Sequence, residues 1–325
     1  KEWLNGRRQS LVEVRTPSRG DLVTLQNLAT QNAEAQLSKY IDKASGSLEQ
    51  KAANDGAKLI VFPEAFISAY PKGLDFGARI GSRTVKGREE FLDYYNSSLE
   101  LNSIEFFKLL NIAKEKKVFI VIGVIEKDMG TLYCTVLHIS DKGEMLCKHR
   151  KIMPTAAERL VWGFGDGSTL ETTKTSLGIL GSVICWENYM PMIRMAMYDQ
   201  GIQLYCTPTA DDRDTWLSTV THIALEGRCF VFSSCQYLTK DDYPTKYEVF
   251  NNNSEDPIMK GGSCIISPLG KVLASAINKT KTIIYADINL DETIKGKYDF
   301  DVVGHYSRPD IFKLEIDKKS KKPVV

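Results

Sequence analysis

The run Val118-Phe119-Ile120-Val121-Ile122-Gly123-Val124-Ile125 contains no charged or polar side chain. A strand that is apolar on both faces has to be covered on both sides, which a lone sheet open to water cannot provide. Other runs alternate: Leu132, Cys134, Val136 and His138 interleave with Tyr133, Thr135, Leu137 and Ile139. Strand-like runs fall at about 59 to 62, 118 to 125, 131 to 139, 178 to 184, 202 to 207, 229 to 235, 262 to 267, 271 to 275 and 282 to 288. Helical stretches are expected at about 31 to 54, 87 to 116, 188 to 200 and 214 to 226. Two sheets packed together with helices outside satisfy both kinds of strand, although periodicity by itself establishes only an α/β chain. There are no internal repeats and no Pro/Ser-rich linker, so a single domain is expected.

With 325 residues, 43% of them hydrophobic, and a net charge of +1, the chain can bury a sizeable core. That charge balance supplies no field suited to nucleic acid or to an anionic membrane surface. No apolar run approaches the ~20 residues a membrane helix requires. Seven cysteines lie mostly inside apolar runs with no Cys-x-x-Cys pair, which argues against a disulfide framework and points to a reducing, cytoplasmic compartment. The four histidines are far apart and make no metal-spaced motif. Neither a phosphate-cradling glycine loop nor a dinucleotide fingerprint is present, so no cofactor and no metal are expected.

Three segments carry chemistry. Cys185 closes the apolar run Gly178 to Ile184 and opens Trp186-Glu187-Asn188-Tyr189-Met190-Pro191, so a thiol sits where a strand gives way to a helix. Backbone amides of such a turn point at negative charge developing beside the sulfur. Leu59-Ile60-Val61-Phe62 ends on Pro63 and Glu64; a carboxylate just past a buried strand is poorly solvated, which raises its pKa towards the range of a working base. Lys148-His149-Arg150-Lys151 forms a basic cluster after the Asp141-Lys142-Gly143 turn. Each segment alone has an ordinary reading: a core thiol, a solvated loop carboxylate, a charged surface.

Taken in the order Glu, Lys, Cys, they resemble the nitrilase superfamily of carbon-nitrogen hydrolases. The matching residues are Phe62-Pro63-Glu64, then His149 to Thr155 with Glu158-Arg159, then Cys185 to Pro191 with Arg194. The wording Cys-Trp-Glu-Asn is similar to the nitrilase and cyanide-hydratase branch, since amidase branches usually carry Tyr and Asp after the nucleophile. Further matching stretches are His222 to Val231, Gly261-Gly262-Ser263 and Asp301 to Asp310, so the similarity covers roughly residues 56 to 312. After Tyr70-Pro71, where many nitrilases place large aromatics, this chain has Lys72-Gly73-Leu74-Asp75-Phe76-Gly77.

The resemblance implies an αββα four-layer sandwich over residues 21 to 312, flanked by an amino-terminal extension, 1 to 20, and a basic tail, 313 to 325. Leu22 to Gln26 fills the role of the family's first strand only approximately, and Ser10 to Arg15 is too short and too charged for a secretory signal. Cys185 is the implied nucleophile, Glu64 the base, Lys151 the stabilising cation, and Glu158 a second carboxylate that holds Lys151 or orients water. Trp186, Tyr70 and Trp162 are candidate pocket walls. Glu187 and Asn188 are candidates for the same pocket or for caps of the following helix. His222 reads as a packed helix residue, and Glu226 with Arg228 as a buried ion pair. The implied activity is hydrolysis of an organic nitrile to its acid and ammonia, without cofactor. Alternatives are a cyanide hydratase, an amidase-type hydrolase, or an idle filament-forming protein. A homodimer at minimum, extending to a spiral homo-oligomer, is expected, built on the Met-rich helix after Asn188 and on the 241 to 255 loop.

Overall fold

The computed structural model describes the backbone of residues 8–13 and the whole of residues 56–239, 257–276 and 282–321. The expected first strand at 22 to 26, the helix at 31 to 54 and the loop at 241 to 255 lie outside the described residues.

Twelve strands build two six-stranded sheets. The first contains β1 (Arg8–Glu13), β2 (Leu59–Val61), β3 (Phe119–Asp128), β4 (Thr131–Ile139), β5 (Met145–Arg150) and β12 (Ile284–Asn289), in the order β12-β1-β2-β3-β4-β5. The second contains β6 (Thr173–Thr175), β7 (Gly178–Ser182), β8 (Leu204–Thr209), β9 (Phe230–Cys235), β10 (Cys264–Ile266) and β11 (Val272–Ser275), in the order β11-β10-β9-β8-β7-β6. At the centre of each sheet the strands run parallel, β1 to β2 to β3 and β7 to β8 to β9. One apolar core spans both sheets, from Leu59 and Ile120 in the first to Leu204 and Phe232 in the second. Helices α1 (Val85–Asn96) and α2 (Ile104–Lys116) cover the first sheet, with Phe106, Leu109 and Ile112 in that core. Helices α3 (Pro191–Asp199) and α4 (Thr215–Gly227) cover the second through Ile193, Met197, Val220 and Ile223. A short α5 (Asp291–Gly296) follows the last strand. This is the αββα sandwich, and Phe119 to Ile125 are buried on both faces as the unbroken apolar run requires.

The structure departs from the sequence reading in several places. Arg8–Glu13, set apart as an extension, pairs with β2 and β12 inside the first sheet. The expected single helix from 87 to 116 is two, because the Ser97 and Ser98 hydroxyls both donate to the Tyr94 carbonyl at 2.8 Å and divert the backbone. Ser103 then caps α2, accepting the Phe106 amide. Beyond 312 the chain is not free: Ile316 packs on the second core and the Lys321 amide donates to Asp166 at 2.7 Å. The basic cluster before Lys151 is strand β5 and not a solvated face. Lys148 and Arg150 both bind Glu126 of β3, and these bonds hold the Glu126 carboxyl below its usual range despite its burial.

Candidate active site

Three strand ends converge where the sheets meet. Glu64 lies just past β2 on a loop with left-handed backbone at Ala65, Ser68 and Ala69. This loop crosses β3 at Gly123, where an added Cβ would fall 2.2 Å from the Pro63 carbonyl and 2.7 Å from the Glu64 Cα. Only glycine permits that approach, so the residue interrupting the apolar run fixes the position of Glu64. Lys151 directly follows β5, and its amide donates to the Cys134 carbonyl of β4 at 2.8 Å. Cys185 follows β7 on the other sheet and opens a short 3₁₀ turn, Cys185–Tyr189. Its φ of 50° is left-handed, a strain of order 1 kcal/mol or more for a residue with a Cβ, which recurs where a nucleophile is lifted out of a strand end.

Glu64 and Lys151 are fully buried, and Cys185 is 5% exposed. Lys151 Nζ donates to Glu64 Oε1 at 2.6 Å and to Glu158 Oε2 at 2.8 Å. Glu158 is itself held by the Tyr70 hydroxyl, 2.7 Å from Oε1, and by the Thr155 amide, 2.6 Å from Oε2. Burial pushes the Glu64 carboxyl up, and the nearby Glu158 adds to this against the opposing pull of Lys151. Desolvation works against the Lys151 charge, yet Glu64 and its other anionic neighbours outweigh it and keep the ammonium protonated. The Cys185 thiol is likewise pushed up, first by burial and then by Glu64, with Lys151 opposing. It rests as a thiol, beside a carboxylate whose Oε2 is buried without a hydrogen bond. The Thr209 hydroxyl donates to Cys185 Sγ at 3.1 Å. Such an arrangement can pass the thiol proton to Glu64 as sulfur attacks an electrophilic carbon, with a fixed cation beside the charge that develops.

Glu187 and Asn188 point elsewhere. Glu187 accepts the Ile152 amide at 2.6 Å, the Ile184 amide at 2.9 Å and His149 Nε2 at 3.1 Å; since a carboxylate only accepts, that ring nitrogen carries the proton. The Asn188 amide donates to the carbonyls of Val183 and Cys185, and Arg194 donates to the Asn188 carbonyl. Both residues clamp the Cys185 turn and are buried. Trp162 is buried, 5.8 Å from the Tyr70 ring and 5.8 Å from Lys151 Nζ, and so backs the ion cluster. Trp186 is 40% exposed, bound through Nε1 to Asp211 and stacked on Arg213. His222 is largely exposed and pairs with Glu226, which binds Arg194, whereas Arg228 pairs with Asp299. The expected Glu226 and Arg228 pair is therefore not formed. Sequence reasoning missed Thr209, Cys134 and Gln236, whose side-chain amide donates to the Glu64 carbonyl. A signal existed for the first: Thr207-Pro208-Thr209 ends β8 as Phe62-Pro63-Glu64 ends β2.

Among the described residues no three His, Cys, Asp or Glu side chains are arranged to hold a metal ion, and no helix is long and apolar enough to cross a membrane.

A sandwich of this topology with a buried Glu, Lys and Cys cluster defines a class of hydrolase. The family model for carbon-nitrogen hydrolases matches residues 22–298, and the chain belongs to that family, within the nitrilase superfamily. A nitrilase from Bradyrhizobium diazoefficiens is 54% identical over 86% of this chain and 88% of its own. An aliphatic nitrilase from Sinorhizobium fredii is 51% identical over 90% and 94%. A bifunctional nitrilase/nitrile hydratase from Nicotiana tabacum is 50% identical over 87% and 83%. Among solved structures, a branch 10 nitrilase-superfamily protein of Saccharomyces cerevisiae superposes with a TM-score of 0.64 at 20% identity, covering 92% of this chain and 96% of its own. The C. elegans NitFhit protein gives 0.70 at 18%, covering 97% and 69%. At those identities the two structures speak for the fold alone.

Proposed function

We propose that the protein is a nitrilase, converting an organic nitrile and water into a carboxylic acid and ammonia. The observation that carries this reading is the meeting of a strained, buried Cys185 with the buried Glu64 and Lys151 pair. In this reading Cys185 Sγ adds to the nitrile carbon while Glu64 Oε2 takes the thiol proton, which passes to the nitrile nitrogen and gives a covalent thioimidate. Lys151 Nζ and the Trp186 amide stabilise the charge that builds in each addition step. Water that Glu64 deprotonates adds to the thioimidate carbon; the nitrogen, once protonated, leaves as ammonia; a second water cleaves the thioester and returns the thiol proton. Glu158, bound to Lys151, keeps the ammonium aimed at Glu64.

The tobacco relative's name, bifunctional nitrilase/nitrile hydratase, supports a second product channel, in which the tetrahedral species expels sulfur and releases the amide. Incubation with a panel of aliphatic and arylacetonitriles, with ammonia, acid and amide quantified separately, tests both. Hydrolysis of amides with no product from any nitrile would overturn the proposal in favour of an amidase.

Seven free cysteines support a reducing, cytoplasmic setting. A homodimer at minimum, extending to a spiral homo-oligomer, is part of the same reading, and α3 with α4 is its proposed seam. Met197, Ile193 and Ala196 are buried within the protomer, so the available apolar groups there are Met192, Leu217 and Leu225. Light scattering of Met192→Glu against the parent tests this seam; a monodisperse, fully active parent monomer would sink it.

A further inference from the structure

We propose that Cys134 is a positioning residue for the reaction, its thiol holding one oxygen of Glu64 so that the other is left for proton transfer. The proposal rests on the assignment of Glu64 as base. Cys134 lies on β4 and is 1% exposed. Its Sγ is 3.5 Å from Glu64 Oε1, the oxygen that also accepts from Lys151 Nζ. Its carbonyl accepts the Lys151 amide, so a single residue touches both members of the ion pair, one through its side chain and the other through its backbone. With Lys151 and Cys134 both on Oε1, the asymmetry of the carboxylate is complete: Oε2 has no hydrogen bond at all.

The alternative is a small apolar residue filling the core, the common fate of a buried free cysteine. Two observations argue against filler. The thiol is aimed at a carboxylate oxygen in the centre of the site, and burial together with the Glu64 charge pushes its own ionisation well up. It therefore remains a donor wherever the enzyme works. The other titratable groups facing Glu64 are Lys151 after β5, Glu158 in its short helix, Cys185, Tyr70 on the following loop and Tyr94 on α1. Of these, Lys151 donates to Glu64 Oε1 and Cys185 lies beside the carboxylate, and both also stand in the proposed chemistry. Cys134 donates without taking part in it.

A donor to the ionised carboxylate favours ionisation, so removing it moves the titration of Glu64 upwards. The test is the pH dependence of kcat/KM on a nitrile that turns over. Cys134→Ala should shift the acid limb upwards by about half a pH unit or more, with KM held and plateau kcat lowered less than about tenfold. Cys134→Ser, which keeps a donor in nearly the same volume, should bring the limb back to the parent position. An unmoved limb in Cys134→Ala overturns the proposal, and so does a Ser variant displaced as far as the Ala variant, because packing would then be the cause. Glu64→Asp on the same profile separates the two assignments. If Glu64→Asp moves the limb and Cys134→Ala does not, only the role of Cys134 falls; if the limb ignores Glu64→Asp, the base assignment falls first.

Discussion

Glu64 and Glu187 are both buried carboxylates beside the Cys185 turn, but their surroundings differ in kind. Glu187 takes two backbone amides and an imidazole N–H, so that both oxygens are occupied. Glu64 has one oxygen doubly bound and the other bare, and its carboxyl is pushed up by burial. A satisfied buried charge ties segments together, here the residue after Lys151 to the residue before Cys185. An unsatisfied one is costly to the fold and reactive, as a proton acceptor must be. The two can be told apart by asking which costs stability and which costs turnover.

The largest effect is expected at the proposed nucleophile, Cys185, between them. Cys185→Ala should lower turnover of every nitrile by about a thousandfold or more, judged by the losses that follow deletion of a nucleophile. Its melting temperature should change little, because alanine keeps the Cβ and the backbone of the turn and only the sulfur is removed. Residual activity near the parent level would show that another nucleophile operates.

Glu64→Gln should come next, with turnover down by about a hundredfold or more, within the range of a general-base contribution. The sign of its stability change follows from the raised pKa. A carboxyl whose folded pKa lies above its unfolded value favours folding below the unfolded pKa, and that contribution is lost as pH rises through the folded one. Where Glu64 is ionised, above its folded pKa, that contribution is gone, so there the neutral amide should melt at the same temperature or higher. For the parent, kcat/KM should rise with pH along an acid limb above the ordinary carboxylate range. A clear drop in melting temperature for Glu64→Gln would erase the distinction from Glu187.

Glu187→Gln is the mirror experiment. One carboxylate oxygen becomes an NH₂ facing N–H donors from Ile152 or Ile184, and a buried donor left without a partner costs about 1–3 kcal/mol. Denaturant unfolding should register that loss, and kcat should fall about tenfold through displacement of the turn, without movement of the acid limb. An unchanged stability would mean that the clamp is not structural.

Much of this contrast could be read from the sequence, and its limits are physical. The core strands were legible because each is a local apolar run; Phe119–Asp128 and Thr131–Ile139 fall almost where periodicity puts them. Glu64 and Cys185 were legible as polar residues ending such runs. Strand β5 was not, since Lys148 and Arg150 look solvated until Glu126 is brought to them from β3. The direction of the Glu187 side chain depends on Ile152 and His149, more than thirty residues away, and local caps cannot reveal it. Cys134 reads as one alternating core residue, because its partner Glu64 lies 70 residues earlier.

The smallest effect separates the thiol's own setting from both carboxylates. Thr209 Oγ1 donates to Cys185 Sγ at 3.1 Å and accepts the Asp211 amide at 2.9 Å, so its hydroxyl proton is directed at the sulfur. As the thiol ionises, that contact becomes a hydrogen bond to a charged group, worth about 1.5 kcal/mol. Thr209→Val keeps the branched shape at the end of β8 and removes only the hydroxyl. Turnover should fall about tenfold, and alkylation of Cys185 by iodoacetamide should need a higher pH, since the hydroxyl is one of the groups that lower the thiol pKa. Thr209→Ser should recover most of both. The acid limb set by Glu64 should stay in place in either variant, which distinguishes loss at the nucleophile from loss at the base. If Thr209→Val moved the acid limb as far as Cys134→Ala does, thiol and carboxylate would be titrating as one coupled unit, and the division of the cleft into separate proton donor and acceptor would have to be given up.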